Sequence, residues 1–358
     1  MMSIAVDPTQ TVSTINVRLL AQTESSSCPA ALQSMAAFPA LDSWMKFASN
    51  VYGFSLYRFV AEDQGRVAGL LALLHVKHPV FGNYLTTAPF ASYGGFAFSS
   101  LDARDALLEK ADQLRADLNA DYANVRFEAG ESIPPPGWVQ QPIYSTYRAD
   151  LSPDTEAMLA TYNSDHRNHI RKSLKKGFHI KFGHLDLLDD AYEVLARSMH
   201  ELGSPYHSKT YLRRMAESLG DKLELAVVHG WGGELAGAAV LILHGNVITN
   251  LHANVLRRFR PGYVGEFLYW SVMARYGQKG FSVFDIGRSL IGSGNEAFKM
   301  KWKPHRQRLA YWYALRPDRT IPELNQKNPK FQIAIWIWKH LPEFMVRPLG
   351  PFLIRGLA

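Results

Sequence analysis

Two segments of this 358-residue chain show the same order of predicted elements, and this repeat most restricts the folds that the chain can adopt. In the first segment an apolar run from Ser55 leads through the turn Glu62–Gly65 into a second apolar run. In the second segment a run from Leu223 leads through the glycine-rich turn His229–Gly233 into another such run. Both patterns therefore predict a β-hairpin, and both hairpins have an Ala-Gly pair early in the return strand.

The elements after each hairpin also correspond, because more turn-rich strand, a helix and a closing strand follow in both segments. These helices and closing strands are predicted at Leu101–Ala120 and Ala123–Phe127, and at Gly265–Gly280 and Phe281–Asp285. The shared order of elements indicates an internal repeat. We therefore expect an α/β fold with mixed (α+β) sheets and two related domains, residues 1–150 and 151–316, followed by a proline-rich tail at 317–358.

Composition indicates a globular chain in a reducing compartment. Apolar residues make up 47% of the sequence, which suits packed domains. The single cysteine, Cys28, excludes a disulfide framework and a cysteine-based zinc site. Residues 1–17 lack a signal-peptide pattern, and the uncharged runs 78–101 and 235–256 contain too many turn or polar residues for membrane helices. We therefore expect a cytoplasmic protein without a transmembrane segment.

The charge of the chain is divided unevenly between its two parts. Residues 1–150 contain 10 Lys and Arg against 14 Asp and Glu, whereas the remaining residues contain 29 against 18. The second part is therefore expected to meet any anionic ligand, although a solvated basic surface would give the same balance.

A basic helix is predicted in the second part, capped by Asp165 and ending at Gly177. From His166 to Leu185 there are six Lys and Arg and no acidic residue. The candidate substrate-binding or polyanion-binding side chains are Arg167, Arg171, Lys172 and Lys175. Because like charges one helical turn apart repel each other, an RNA backbone, a nucleotide or an anionic lipid is the expected partner. A solvated helix face is the alternative, since aromatic residues for base stacking are nearly absent.

A second basic segment lies after a predicted strand and directly before the helix at 265. It combines three arginines with glycines, and its candidate cofactor-binding residues are Arg257, Arg258, Arg260, Gly262 and Gly265. Backbone N–H groups at a helix start bind phosphates, and arginine binds them bidentately. The alternative is a basic loop that caps an ordinary helix.

Polar residues cluster after the closing strand of the second segment. Asp285 lies at the strand end and could orient or deprotonate an amine, whereas Arg288 and Lys299 could hold an anionic group or stabilise an oxyanion. These three are the candidate catalytic residues. An ion pair between Asp285 and Arg288 that only supports the turn is the alternative. The alternation Lys299-x-Lys301-x-Lys303 predicts a strand. The histidines of the sequence show no metal-binding pattern.

The tail is predicted to contain an aromatic helix, Phe331–Lys339. Its apolar residues surround the helix, and Trp336 and Trp338 are flanked by basic residues including Lys330 and Lys339. This pattern fits docking on the protein or, alternatively, peripheral contact with the inner face of a membrane.

Several of these runs resemble motifs of the FemAB-like branch of the GNAT acyltransferase superfamily. The resemblance is carried by Arg167–Gly177, by His200–Pro205 with Ser208-Lys209, and by Phe284–Ser289 followed by Gly294, Phe298-Lys299 and Trp302. Together these motifs are most similar to the FemAB-related proteins associated with the PEP-CTERM/exosortase (exopolysaccharide) system. The resemblance covers nearly all of residues 150–315 and implies tandem GNAT-like domains.

The resemblance implies an N-acyltransferase that moves an acyl or aminoacyl group to an amine of a cell-envelope or exopolysaccharide precursor. By position, residues 258–265 would be the loop that binds the pyrophosphate of coenzyme A. The family's Arg/Gln-x-x-Gly-x-Gly/Ala pattern is not reproduced there, so the donor stays open between acyl-CoA, an acyl carrier protein and tRNA.

We therefore expect an acyltransferase of groups other than aminoacyl groups, with no metal and no DNA partner. Two alternatives stay open. One is an aminoacyl-tRNA-dependent peptidyltransferase of the peptidoglycan-crosslinking type. The other is a non-catalytic scaffold that binds a polyanion or a membrane surface.

Overall fold

The computed structural model describes residues 15–21, 24, 28–128, 132–322 and 329–358. Of the residues on which the signal-peptide prediction depends, 1–14 lie outside the described part, as does the side chain of Lys330.

The described residues form a mixed sheet and two sets of helices. The strands are β1 (Asn16–Leu19), β2 (Ser55–Asp63), β3 (Arg66–His78), β4 (Gly82–Thr86), β5 (Phe96–Phe98), β6 (Tyr122–Glu128), β7 (Trp138–Gln140), β8 (Tyr144–Asp150), β9 (His179–Gly183), β10 (Leu223–His229), β11 (Leu235–His244), β12 (Val247–Val255), β13 (Val283–Asp285), β14 (Ser289–Leu290) and β15 (His305–Leu315). The helices are α1 (Ala30–Ala36), α2 (Asp42–Tyr52), α3 (Leu101–Asp117), α4 (Thr155–Thr161), α5 (Ser164–Leu174), α6 (Leu188–Leu202), α7 (Lys209–Leu219), α8 (Val264–Gln278), α9 (Gly294–Met300), α10 (Pro329–His340) and α11 (Glu343–Ile354). Short 3-10 helices lie at Phe38–Ala40, Leu185–Leu187, Gly220–Lys222 and Arg257–Gly262.

The two halves of the sheet repeat one arrangement. The strand order is β1-β2-β3-β4-β6-β15-β8-β13-β12-β11-β10-β9, with β5, β7 and β14 paired at the sides of β3, β15 and β8. In the first half the β2–β3 hairpin leads through β4 and α3 to β6, which pairs parallel with β4. In the second half the β10–β11 hairpin leads through β12 and α8 to β13, which pairs parallel with β12. The predicted α/β fold with mixed sheets and an internal repeat is therefore confirmed.

β15 joins the two halves into one sheet. Its first residues, His305–Arg308, pair with β8, and its later residues, Leu309–Leu315, pair with β6. β8 lies within the first predicted domain, 1–150, but pairs with β13 and β14 of the second half. The domain limits themselves stay a prediction.

Helices also connect the halves through a shared core. Trp44 and Phe47 of α2 are buried in the same apolar cluster as Leu212 and Met215 of α7. The ring centroids of Phe47 and Tyr211 are 5.1 Å apart. Because buried apolar surface of both halves forms one cluster, their relative position is fixed by packing as well as by β15.

Local side-chain chemistry sets two helix starts differently from the prediction. Asn163, and not Asp165, caps α5, because its side chain accepts a hydrogen bond from the backbone N–H of His166. The strand predicted over Lys299–Lys303 is wrong, since Lys299 lies in α9. Ser293 caps α9 by accepting from the N–H of Glu296, so helix hydrogen bonds replace the strand.

The tail forms two helices and not one. α10 covers the predicted aromatic helix, whereas α11 was missed because it contains Pro348 and Pro351. One side of the pair docks on the protein. Trp338 is buried, and its carbonyl accepts a hydrogen bond from His200 Nε2 at 3.1 Å. Gly350 packs on the backbone of Tyr206.

The other side of the pair exposes large apolar side chains, namely Ile333, Trp336, Ile337, Phe344, Met345, Leu349 and Phe352. Among the described residues no helix has the length and apolar character that crossing a membrane requires.

Candidate functional site

A cavity of about 440 Å³ lies between the two halves at the parallel β12–β13 pair. Side chains of α1 and the loop at Ser92 and Tyr93 form its wall from the first half. Its wall from the second half includes Thr249 of β12 and Asp285 of β13. The cavity therefore needs both halves of the repeat to exist.

Strand alternation places the Asp285 carboxylate at this cavity. Its neighbours Phe284 and Ile286 belong to the core on the α8 side of the sheet, so Asp285 lies on the opposite face. Asp285 is only 1% exposed, and three hydrogen bonds reach its carboxylate oxygens. Oδ1 accepts from Thr146 Oγ1 and the Gly287 N–H, both at 2.8 Å, and Oδ2 accepts from the Tyr93 hydroxyl at 2.5 Å.

Asp285 belongs to a charged network that crosses the two halves. Arg148 of β8 donates to the Tyr93 hydroxyl at 2.7 Å and pairs with Glu128 of β6. Its Nε has no hydrogen-bond partner among the described residues and lies 3.9 Å from Asp285 Oδ2. Burial raises the pKa of Tyr93 well above its usual value, and the Asp285 charge raises this pKa further, so the hydroxyl stays protonated and donates to Asp285.

Lys299 lies behind the turn that follows Asp285. Its ammonium is buried and donates to the carbonyls of Gly287 and Arg288 at 2.8 and 2.7 Å. Burial lowers the pKa of Lys299 to about 7, although the nearby Asp285 charge acts in the opposite direction. Lys299 therefore fixes the backbone of the turn and does not line the cavity.

Arg288 is directed away from Asp285, and the structure does not form the ion pair between them that the sequence left open. Gly287 has a φ of +82°, which reverses the chain between the two residues. The Arg288 guanidinium donates to the Tyr311 hydroxyl at 2.5 Å and lies 4.8 Å from the Tyr144 ring centre. It lines a second cavity of about 230 Å³ that is rich in tyrosine.

The predicted cofactor loop forms the short 3-10 helix Arg257–Gly262 and the first turn of α8. Arg257 is engaged with Glu201 of α6, whereas Arg258 and Arg260 are exposed and have no ion-pair partner among the described residues. The first N–H groups of α8 have no partner within the helix, as at any helix start.

Packing accounts for part of the glycine pattern in this loop. A Cβ on Gly262 would lie 3.0 Å from the Phe178 ring, so this glycine allows the ring to pack closely. A Cβ on Gly265 would lie 3.6 Å from Phe298, which is an ordinary contact. In both glycines, the direction in which a Cβ would point is occupied by an aromatic side chain of the protein.

The basic helix α5 packs on α8 beside this loop. The His169 ring stacks on Tyr263, with centroids 4.4 Å apart, and Phe178 contacts Gly262. Arg167 is half-buried and donates to the carbonyls of Ala160 and Tyr162, so it caps α4.

The other three predicted cations, Arg171 and Lys172 of α5 and Lys175 directly after it, are exposed. With the two free arginines they form a set that we call the basic surface: Arg171, Lys172, Lys175, Arg258 and Arg260. Asp285 and the residues hydrogen-bonded to it do not belong to the basic surface. Asp285 lies at the end of β13, where this strand pairs with β12.

Sequence reasoning missed most of the network around Asp285. Tyr93, Glu128, Thr146 and Arg148 come from distant elements, and the only local signal is that polar residues alternate along the buried strand β8.

Sequence reasoning also missed a group that could hold a metal ion, His166, His169 and Glu266. His166-x-x-His169 places two imidazoles one helical turn apart, but the glutamate comes from another helix.

Comparison with known proteins finds one matching family. Residues 164–300 match the acetyltransferase (GNAT) domain family, from α5 to the end of α9. None of the curated proteins matches the sequence.

Solved structures share the fold over most of the chain. FemX gives a TM-score of 0.62 at 14% identity, covering 84% of this chain and 95% of its own. A tandem GNAT protein from the clavulanic acid biosynthesis pathway gives 0.55 at 15% identity, covering 85% of this chain and 100% of its own. L-PGS from Bacillus licheniformis gives 0.50 at 13% identity, covering 77% and 87%.

Identities this low establish the fold alone. The shared folds agree with the internal repeat, and the FemAB-like branch of the superfamily stays a prediction. Residues 164–300 therefore match a GNAT domain, and the chain as a whole shares the fold of a tandem GNAT protein.

Proposed function

We propose that the protein is an N-acyltransferase whose acceptor amine binds in the cavity between the two halves. The observation that carries this proposal is the buried Asp285 carboxylate, which faces that cavity at the end of a parallel strand pair inside the GNAT domain. An ionised carboxylate offers about four acceptor positions, of which three are used by Tyr93, Thr146 and the Gly287 N–H. The remaining position can accept a hydrogen bond from an amine.

In the proposed reaction the amine nitrogen attacks the carbonyl carbon of a thioester or ester. The C–N bond forms, the bond to sulfur or oxygen breaks, and the proton lost by the amine is balanced by the proton taken up by the leaving group. Asp285 orients the amine, and the Tyr93 hydroxyl, itself held by Arg148, keeps the carboxylate in place. Lys299 acts through the Gly287–Arg288 turn as a positioning residue.

Arg288 is proposed to bind an anionic group of a substrate in the second, tyrosine-lined cavity. The Arg288 residue is exposed, and its guanidinium lies over the Tyr144 ring and donates to Tyr311 through one nitrogen, which leaves further N–H donors for a carboxylate or phosphate.

The donor is proposed to bind through its phosphates at the basic surface and the first N–H groups of α8. GNAT domains in general use acyl-CoA-type donors, and we propose an acyl-CoA or acyl carrier protein here. Aminoacyl-tRNA is the alternative donor, and it is favoured by the exposed cations of α5. Transfer of a group other than an aminoacyl group, to an amine of a cell-envelope or exopolysaccharide precursor, rests on the resemblance to the PEP-CTERM-associated FemAB-related proteins.

Native mass spectrometry of freshly purified protein separates the donors, because bound CoA, carrier protein and RNA differ in mass. Release of free thiol from acyl-CoA in the presence of amine acceptors then measures transfer. Asp285→Asn is expected to abolish this release, with Asp150→Asn, an exposed carboxylate paired with His305, as the matched control. Full activity of a folded Asp285→Asn variant would exclude Asp285 as the residue that orients the amine.

We also propose that the exposed apolar side of α10 and α11 contacts a membrane surface. The exposed residues recur at helical spacing, with Ile333, Trp336 and Ile337 on α10 and Phe344 on α11. Such an aromatic and apolar stripe suits the interface between lipid headgroups and acyl chains.

Co-sedimentation with anionic and neutral vesicles tests the membrane contact. A Trp336→Ala/Phe344→Ala variant is expected to lose most of its binding, whereas Trp231→Ala, which removes an exposed tryptophan from the β10–β11 turn, should bind as the parent does. Equal binding of both variants would contradict the contact.

A further inference from the structure

Two histidines and a glutamate meet where α5 packs on the first turn of α8. His166 and His169 are one turn apart on α5, and Glu266 lies in the first turn of α8. One donor atom of each side chain lies within 4.8 Å of those of the other two. Two imidazoles and one carboxylate are a ligand set of known zinc sites.

Packing alone does not explain the two histidines. His166 is 2% exposed, and neither of its ring nitrogens has a hydrogen-bond partner in the described part of the chain. Nδ1 of His169 is also buried without a partner there. Ring contacts with Trp302 and Tyr263 fix the two imidazole planes but do not pair these nitrogens. A buried unpaired polar atom costs about 1–3 kcal/mol, which a metal–nitrogen bond would offset.

The third side chain, Glu266, supplies the negative charge. It is 7% exposed, and its ion-pair partner is Lys301, with Nζ 3.8 Å from the carboxylate. The Lys301 side chain is 43% exposed, so its ammonium can move into solvent when another cation takes its place.

We propose that His166, His169 and Glu266 bind one Zn²⁺ ion, with water or an anionic ligand group in the fourth position. Ligand atoms of a tetrahedral zinc site lie about 3.3 Å apart, so small side-chain rotations close the group around the ion. The ion would tie the basic helix α5 to the start of α8, beside Arg258 and Arg260. This site goes beyond the proposed transfer reaction and does not depend on it.

Metal titration of the untagged full-length protein tests the site after treatment with a chelator and dialysis. We expect one equivalent of Co²⁺ to give the intense visible absorption of a tetrahedral site, and Zn²⁺ to displace it and raise the melting temperature. His169→Gln and Glu266→Gln should each weaken Zn²⁺ binding about tenfold or more. Gln is close in size to both side chains, so these variants are expected to fold, and circular dichroism checks this before the titration.

His305→Gln is the matched control, because His305 also lies beside a carboxylate, Asp150, at 3.0 Å but on the exposed surface. Its titration should equal that of the parent. Absence of the Co²⁺ absorption, or unchanged binding in both His169→Gln and Glu266→Gln, would overturn the zinc site. Since neither measurement uses acyl transfer, such a failure leaves the proposed function untouched.

Discussion

The residue that most defines the candidate site is Asp285, because a buried carboxylate is stable only when donors surround it. Thr146, Tyr93 and the Gly287 N–H supply these donors, and Arg148 supplies the nearest positive charge. Buried charges of this kind are more costly to disturb than to keep, so single substitutions here should affect both folding and activity.

Tyr93→Phe is the mildest test of this network. It removes one hydroxyl that donates to Asp285 and accepts from Arg148, so we expect a loss of about 1–3 kcal/mol in the free energy of unfolding. We also expect kcat/KM for transfer to fall about tenfold or more, because the carboxylate is no longer held in place. Urea unfolding and steady-state kinetics measure the two effects. Parent-like kinetics in the folded variant would show that Tyr93 only stabilises the fold.

Lys299 gives a prediction for pH dependence. Its pKa falls from 10.5 to about 7 on folding, so between those values the unfolded state binds more protons than the folded state. The contribution of Lys299 to stability is therefore fully present above pH 10.5 and is lost as the pH falls to about 7.

Comparison of the parent with Lys299→Met isolates this contribution. The free energy of unfolding of the parent should rise relative to that of the variant as the pH increases from 7 to 9, measured by urea unfolding at each pH. A difference that stays constant over this range would contradict the lowered pKa.

At the scale of elements, α8 has a surface proposed to bind the donor at its start and close packing near its end. Its first turn lies beside exposed arginines, whereas Gly277 near its end lies against the backbone before α4. Each end allows a separate prediction.

The arginines at the start of α8 are expected to bind the donor. The double variant Arg258→Ala/Arg260→Ala should raise KM for the donor about tenfold or more with little change in kcat, because the lost contacts act equally in the ground and transition states. Arg213→Ala, which removes an exposed arginine of α7, should not change KM. If the donor is a tRNA, the double variant should also show a smaller dependence of binding on salt. An unchanged KM would place the donor elsewhere.

Gly277 is expected to tolerate no side chain. A Cβ at this position would lie 2.3 Å from the Ser152 carbonyl oxygen, a backbone atom that cannot move without shifting the chain before α4. Gly277→Ala should therefore lower the free energy of unfolding by about 2 kcal/mol or more. Gly294→Ala in α9 is the control, because nothing lies within 4 Å of its Cβ position, and it should be neutral or slightly stabilising. Equal unfolding curves for the two variants would contradict this packing.

At the scale of the whole molecule, the two halves are held together by β15 and by a core that includes His207. This histidine is 4% exposed, and its ring stacks on Tyr211 at 3.6 Å. Its Nδ1 lies 2.8 Å from the hydroxyl of Tyr52 in the first half. Burial lowers the pKa of His207 well below its usual value, and the neighbouring His252 lowers this pKa further.

Acid should therefore weaken the contact between the halves. The unfolded state takes up a proton near its ordinary pKa of 6.5, whereas the folded state does so only at lower pH, so stability is lost as the pH falls below 6.5. His207→Asn keeps an acceptor for Tyr52 and cannot titrate in this range. Its melting temperature should fall less than that of the parent between pH 7 and pH 5, and an equal fall would exclude His207 as a cause of acid sensitivity.

Much of the fold was open to prediction because it depends on local pattern. The hairpins, the two long helices and the order of elements follow from alternation and helical spacing in the sequence. The strand predicted at Lys299 failed because the Ser293 cap favours a helix, and α11 was missed because prolines are rare inside helices. The first error came from the rule that alternating residues form a strand, and the second from the rule that prolines end helices. In each case other contacts decided the structure.

The sequence by itself determined the repeat, the α/β class and the concentration of basic residues in the second half. Only the tertiary structure decided that Asp285 binds Tyr93 and Thr146 and not Arg288, and that His166 and His169 meet Glu266. The physical reason is distance along the chain: hydrogen-bond partners 139 and 192 residues apart are brought together by sheet pairing and core packing. Local sequence carries information about neighbouring residues, and the candidate site is built from residues that become neighbours only on folding.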